Sequence, residues 1–183
     1  MLDLLSLHKY FLSQHLSEGA TVADFTMGNG HDTLFLSNAV GENGRVYAFD
    51  VQQQALDNTK KLLEEENAPN NYTLILDSHA NALDHIKEPI KVGVFNLGWL
   101  PGAEKTVTTR RESTLEAIKA AMSLLDHDSI LLVAVYPGHE EGKLEGEMLD
   151  EYFETISRFK FCIAKLKIVN SPTSPFFFTI ERK

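Results

Sequence analysis

Cysteine is almost missing from this chain: Cys162 stands alone among 183 residues. An internal disulfide is therefore excluded, and a reducing cytoplasm is the expected compartment. Long apolar runs are missing too. The longest candidate, Ile130-Leu-Leu-Val-Ala-Val-Tyr136, falls well short of the roughly 20 residues a membrane-spanning helix needs, so it is expected to be a core strand. The first residues lack a basic start and a small-residue cleavage site, so no export signal is expected. Positive charge is scarce, with 17 Lys and Arg against 26 Asp and Glu and a net charge of -9. That balance excludes broad attraction to polyanions and leaves room only for a local basic face. His8, His15 and His31 have no ligand spacing with cysteines or carboxylates, so no metal is assigned. What remains is ordinary for a folded chain: 43% hydrophobic and 23% charged residues, no repeat and no low-complexity segment, at a length that suits one compact domain over 1–183.

The hydrophobic pattern alternates between strand and helix signals. Apolar residues at 4, 5, 7, 11, 12 and 16 predict an N-terminal helix packed on the domain, ended by Ser17-Glu-Gly19. Strands are expected at 21–25, 45–49, 72–76, 92–97 and 130–136, and helices at 31–40, 52–67, 80–86, 110–125 and 141–156. Two closing strands, 160–169 and 176–181, follow each other without a helix between them and should run antiparallel. The order predicts an α/β fold: a Rossmann-like, doubly wound, seven-stranded and mostly parallel sheet with a terminal antiparallel hairpin and helices on both faces. Ligands are then expected beyond the carboxyl ends of the strands.

Val22-Ala-Asp-Phe-Thr-Met-Gly-Asn-Gly-His-Asp-Thr33 carries the most information. It reads as a buried strand breaking into a glycine turn that opens a helix. Gly28 and Gly30 let the backbone approach a ligand. Asp50 closes the next strand 22 residues beyond Gly28, where a nucleotide-binding βαβ unit places its ribose-binding carboxylate. A dinucleotide site usually has a third glycine where this chain has Thr33; its absence favours a ligand without a pyrophosphate, and S-adenosylmethionine fits. Met27, Asn29, Asp32 and Thr33 belong to the same turn, and Gln52 follows Asp50, so all are candidate cofactor contacts. Asp24 is another, either facing the methionine tail or positioning the loop. Asp77-Ser-His79 lies where adenine is usually bracketed, making Ser78 and His79 candidates, although Ser78 equally suits a helix cap.

The chemistry is expected after the fourth strand, at Asn96-Leu-Gly-Trp99. This stretch resembles the Asn/Asp-Pro-Pro-aromatic signature of methyltransferases that act on amino groups, with Leu97 and Gly98 in place of the prolines. In that signature the polar side chain and adjacent carbonyls accept hydrogen bonds from the amine, and the aromatic ring stacks on the base. After the fifth strand, Tyr136-Pro-Gly-His-Glu-Glu-Gly-Lys143 supplies a second polar turn on the same rim. Its His139 is either a structural histidine or a proton relay.

Taken together, the blocks Gly28-Asn-Gly-His-Asp-Thr33, Asp77-Ser-His79, Asn96-Leu-Gly-Trp-Leu-Pro-Gly102 with Lys105, Thr108-Thr109 with Ser113-Thr114, and Tyr136-Pro-Gly-His-Glu-Glu-Gly142 resemble the small bacterial class I methyltransferases of the rRNA methylase family. Some members are assigned as the tRNA methyltransferase for the wobble nucleotide. The resemblance implies methyl transfer from S-adenosylmethionine to the exocyclic amine of 5-aminomethyluridine, thiolated at position 2 or not, in a tRNA anticodon stem-loop. Asn96 would orient the nitrogen, Trp99 would stack on the pyrimidine, and His139 or a water chain would take the proton. Lys105, Arg110, Arg111, Tyr136 and Lys143 would form the substrate rim, which a homodimer would widen. Rival readings are a small-molecule methyltransferase, an rRNA methyltransferase and a non-catalytic module that binds S-adenosylmethionine. An NAD-dependent oxidoreductase is disfavoured by Thr33.

Overall fold

The computed structural model describes residues 4–98 and 111–183. Seven strands form one sheet in the order β3-β2-β1-β4-β5-β7-β6. They are β1 (Thr21–Asp24), β2 (Arg45–Asp50), β3 (Tyr72–Leu76), β4 (Ile90–Asn96), β5 (Leu125–Val135), β6 (Phe161–Leu166) and β7 (Phe176–Arg182). The helices are α1 (Leu4–Ser13), α2 (His31–Val40), α3 (Gln53–Glu65), α4 (Ala82–His85), α5 (Arg111–Leu124) and α6 (Glu140–Glu154). The first five strands are parallel, whereas β7 runs antiparallel to both β5 and β6. The seven-stranded, mostly parallel sheet with its terminal hairpin is the architecture the alternating pattern predicts.

Side-chain alternation along β5 explains why the sheet is covered twice. Ile130, Leu132 and Ala134 join Leu12 of α1 and Leu36 and Val40 of α2 in one core cluster. Leu131, Val133 and Val135 face the other way, onto Ile118 and Ala121 of α5 and Leu149 and Phe153 of α6. From Ile130 to Val135 the strand is apolar at every position and buries both faces, as the central strand of a doubly wound sheet must. β7 repeats the device, with Phe177 on the first face and Phe176 and Phe178 on the second.

Three rings tie the central strands together below their carboxyl ends. Phe25, just past β1, stacks on Phe95 of β4 at 4.5 Å and on Phe49 of β2 at 5.9 Å between centroids. Their mutual stacking holds the three strand ends from which the site is built.

Boundaries differ from the expected ones where local pattern is weak. β5 begins at Leu125 rather than Ile130, because Leu125 pairs with Ile90 ahead of a register shift. The polar stretch that follows, with Asp128 at φ 51°, conceals that pairing from a periodicity reading. The helix expected at 80–86 divides into a 3-10 turn at His79–Asn81 and the short α4. β6 ends at Leu166 rather than 169, where its pairing with Phe177 of β7 ends. Among the described residues no helix is long and apolar enough to cross a membrane.

Candidate active site

The chain leaves β1 through Thr26 and Met27 into a bend with Gly28 at φ 51° and Gly30 at φ 86°, the latter capping α2. Both angles lie where a side chain is strained. Gly30 is doubly constrained, because a Cβ there would come within 2.9 Å of the Thr59 side chain on α3. Thr59 also donates its hydroxyl to the Gly28 carbonyl at 3.0 Å, so α3 clamps the bend from behind. At the end of β2, the Asp50 carboxylate accepts the Gly28 N–H at 3.1 Å through Oδ2 and the Gln52 N–H at 3.0 Å through Oδ1. Each carboxylate oxygen retains acceptor capacity for a ligand hydroxyl.

The end of β4 is held the same way. The Asn96 backbone N–H donates to the Thr26 hydroxyl at 2.7 Å, and its side-chain Nδ2 donates to Asp32 Oδ2. An ionised carboxylate can only accept, so Asp32 fixes which way the Asn96 amide faces. The acceptor Oδ1 is thereby turned to the Tyr136 hydroxyl, 3.4 Å away.

These groups line one cavity of about 780 Å³, within the roughly 300–1,000 Å³ common for small-molecule sites. Met27, Gly28, Asn29, Asp32, Asp50, Asn96, Tyr136 and His139 all line it. The structure thus brings eight of the sequence-derived candidates together. Others serve the site from behind or lie elsewhere. Thr33 is fully buried and donates its hydroxyl to Asp24 Oδ2 at 2.7 Å, so it supports the loop and does not face a ligand. Asp24 is likewise buried, its Oδ1 accepting the Thr26 N–H at 3.1 Å, which selects the loop-positioning reading. Gly30 is buried against Thr59. Gln52, Ser78 and His79 do not line the cavity. Gln52 caps α3. The Ser78 hydroxyl caps the 3-10 turn by accepting the Ala80 N–H. One ring nitrogen of His79 is bonded to the Phe25 carbonyl at 3.0 Å. Lys143 lies on α6, 3.8 Å from Glu147. Trp99, Lys105 and Arg110 lie outside the described residues, and Arg111 opens α5.

His139 has a structural role in the fold. It is the N-cap of α6, its Nδ1 accepting the Gly142 N–H at 3.1 Å. With Nδ1 occupied as an acceptor, the neutral ring carries its proton on Nε2, the wrong tautomer for a base at that nitrogen. Periodicity alone missed several wall residues: His8 and Lys9 of α1, His31 of α2, and Thr173 and Pro175 from the turn before β7. A signal for His8 was present. It sits four residues from both Leu4 and Leu12, a polar position on the apolar stripe of its helix.

Burial raises the Asp24 carboxyl to about 7, reinforced by the charge of Asp32, while the hydroxyl of Thr33 opposes the rise. A folded-state pKa above the unfolded one means that the native protein keeps a proton the unfolded chain has lost. This group therefore favours folding below the ordinary carboxylate range and loses that contribution as pH climbs toward 7. Asp24→Asn, whose Oδ1 can still accept the Thr26 N–H while its Nδ2 donates to the Thr33 hydroxyl, is expected to gain thermal stability relative to the parent between pH 5 and 8. Parallel melting curves of the two proteins across that range would refute the assignment.

A glycine bend after β1, a carboxylate closing β2 and a polar residue ending β4, all facing one cavity at the carboxyl edge of a 3-2-1-4-5-7-6 sheet, define a class I methyltransferase that uses S-adenosylmethionine. The residues fit that group: the Gly28–Gly30 backbone admits it closely, and the spare acceptor sites of Asp50 suit two ribose hydroxyls. Comparison with known proteins is specific. The family model described as "Putative rRNA methylase" matches residues 46–181, and the chain belongs to that family. A putative rRNA methylase from Clostridium thermocellum is 37% identical, with a TM-score of 0.97 covering 100% of this chain and 99% of that one. A putative methyltransferase from Streptococcus mutans, solved with S-adenosylhomocysteine, is 36% identical with a TM-score of 0.90, covering 100% and 99%. A chloroplastic tRNA (mnm(5)s(2)U34)-methyltransferase of Arabidopsis thaliana is 32% identical over 172 residues. That alignment takes in 88% of this chain, which spans 63% of the plant protein's length.

Proposed function

We propose that this protein methylates the exocyclic primary amine of 5-aminomethyluridine, thiolated or not, at the wobble position of tRNA. The observation that carries the reading is the Asp32–Asn96–Tyr136 arrangement: an amide oriented by a carboxylate, its oxygen available at the cavity wall beside the glycine bend. An oriented Oδ1 accepts a hydrogen bond from an amine N–H and aims the nitrogen lone pair away from itself, which is what an amine nucleophile requires. S-adenosylmethionine supplies an electrophilic methyl on a sulfonium: the N–C bond forms as the S–C bond breaks, its electron pair returning to sulfur. The plant relative's 32% identity supports the choice of base. The partner in this reading is an anticodon stem-loop, met by a small basic rim. Lys9 at the cavity wall adds to that rim, whereas Lys143 shares its charge with Glu147.

The test is methyl transfer by the purified protein to tRNA bearing 5-aminomethyluridine, read by nucleoside mass spectrometry. The expected product is 5-methylaminomethyluridine at the wobble position. Labelling of ribosomal RNA or of a free small-molecule amine, with the tRNA untouched, would overturn the proposal.

A further inference from the structure

We propose that His8, on the N-terminal helix, accepts the proton that the substrate's alkylammonium nitrogen must lose before it can attack the methyl group. This assignment rests on the amine-methylating reading above.

His8 lines the cavity yet is only 2% exposed. Its Nε2 is buried with no hydrogen-bond partner among the described residues. A buried polar nitrogen left unpaired is destabilising, so a ligand N–H reaching it recovers that loss. Desolvation lowers the His8 pKa, which keeps the ring neutral. In the tautomer with its proton on Nδ1, the ring offers a lone pair at Nε2. His139, the other imidazole at the cavity wall considered for this task, is engaged in capping α6.

The charged surroundings suit a transient imidazolium. Asp32 of α2 acts on His8 with a favourable charge, and Lys9 of the same helix with an unfavourable one. The same cavity is lined by His31 of α2, Asp50 of β2, and Tyr136 and His139 beyond β5. The face toward the sheet is apolar, with the Phe177 ring 6.3 Å from the imidazole. Asp32 also orients Asn96, so one carboxylate links the group that aims the amine to the group that deprotonates it.

The proton balance is simple. The ammonium N–H bond breaks, its proton passes to Nε2, and its electron pair stays on nitrogen as the nucleophilic lone pair. The imidazolium returns the proton to water after the product leaves.

The experiment compares the parent and His8→Gln on aminomethyluridine tRNA from pH 6 to 9.5, with S-adenosylmethionine binding measured alongside. At pH 7 the variant is expected to lose about 100-fold or more in kcat, the usual scale of acid–base catalysis, with cofactor affinity unchanged. Its rate should then climb with pH as the amine deprotonates unaided, nearly closing the gap by pH 9.5. Equal rates at pH 7, or a deficit constant across the pH range, overturns the role of His8 while the substrate reading stands. A parent protein that leaves this tRNA unmethylated overturns the substrate reading and the His8 role with it. Should His8→Gln fail to fold, nitrogen NMR of the parent decides. With S-adenosylhomocysteine present, a stem-loop bearing the aminomethyl group should shift the His8 Nε2 resonance toward protonation, and an unmodified stem-loop should not. No difference between the two overturns the assignment.

Discussion

Asn96→Ala is expected to abolish methyl transfer while leaving cofactor binding nearly intact. The backbone N–H of residue 96 still donates to Thr26, so the end of β4 keeps its place. What disappears is the side-chain oxygen proposed to accept from the amine, and with it the Asp32–Asn96 pairing that aims that oxygen. Removing one preorganised polar group from a reaction centre costs on the order of 10²–10³ in kcat, and a misplaced nucleophile costs a similar factor. Single-turnover methylation against a calorimetric titration with S-adenosylmethionine separates the two effects. Loss of cofactor binding parallel to loss of rate would reassign Asn96 to the cofactor. Undiminished rate would remove it from the chemistry.

Gly30→Ala should damage both stability and cofactor binding, for two reasons that add. An alanine at φ 86° is strained by about 1–3 kcal/mol. Its methyl would also come within 2.9 Å of Thr59 Oγ1 and Cγ2 and 3.0 Å of its Cα, an overpacking worth about 1–3 kcal/mol. A total near 3 kcal/mol corresponds to a fall in Tm of roughly 10 °C for a chain this long. Because Thr59 also holds the Gly28 carbonyl, relief by moving α3 would displace the bend. S-adenosylmethionine affinity is expected to drop at least tenfold, by the scale on which 1.4 kcal/mol counts as one factor of ten. Thermal melting with and without cofactor reads both quantities. A variant that melts and binds like the parent would show the bend to be an ordinary turn.

The positions of Gly28, Gly30 and Asp50 around the cavity were legible before any coordinates. Gly28, Gly30 and Asp50 fall within one βαβ unit, whose short connections leave the chain little freedom, so sequence separation translates directly into position. The helix boundaries of α2 and the extent of β3 were legible for the same reason: each is bounded by turn residues and carries an unbroken pattern. Roles were harder to read than places. Asp24 and Thr33 have the chemistry of ligand contacts, but they turn inward and bond to each other. His139 has the chemistry of a base, but its Nδ1 is spent on a helix N-terminus. Side-chain direction at the end of a strand depends on neighbours from other elements, which no local pattern encodes.

Alternating apolar periods and the spacing of glycines and an aspartate were enough to determine the doubly wound sheet and the edge that carries the cavity, because both follow from local backbone geometry. Only the folded chain decided that a helix at the far N-terminus brings His8 to the cavity that holds Asn96, and that Asp32 sits between them. Those contacts join residues distant in sequence, and the long-range packing of α1 against β5 and β7 creates them.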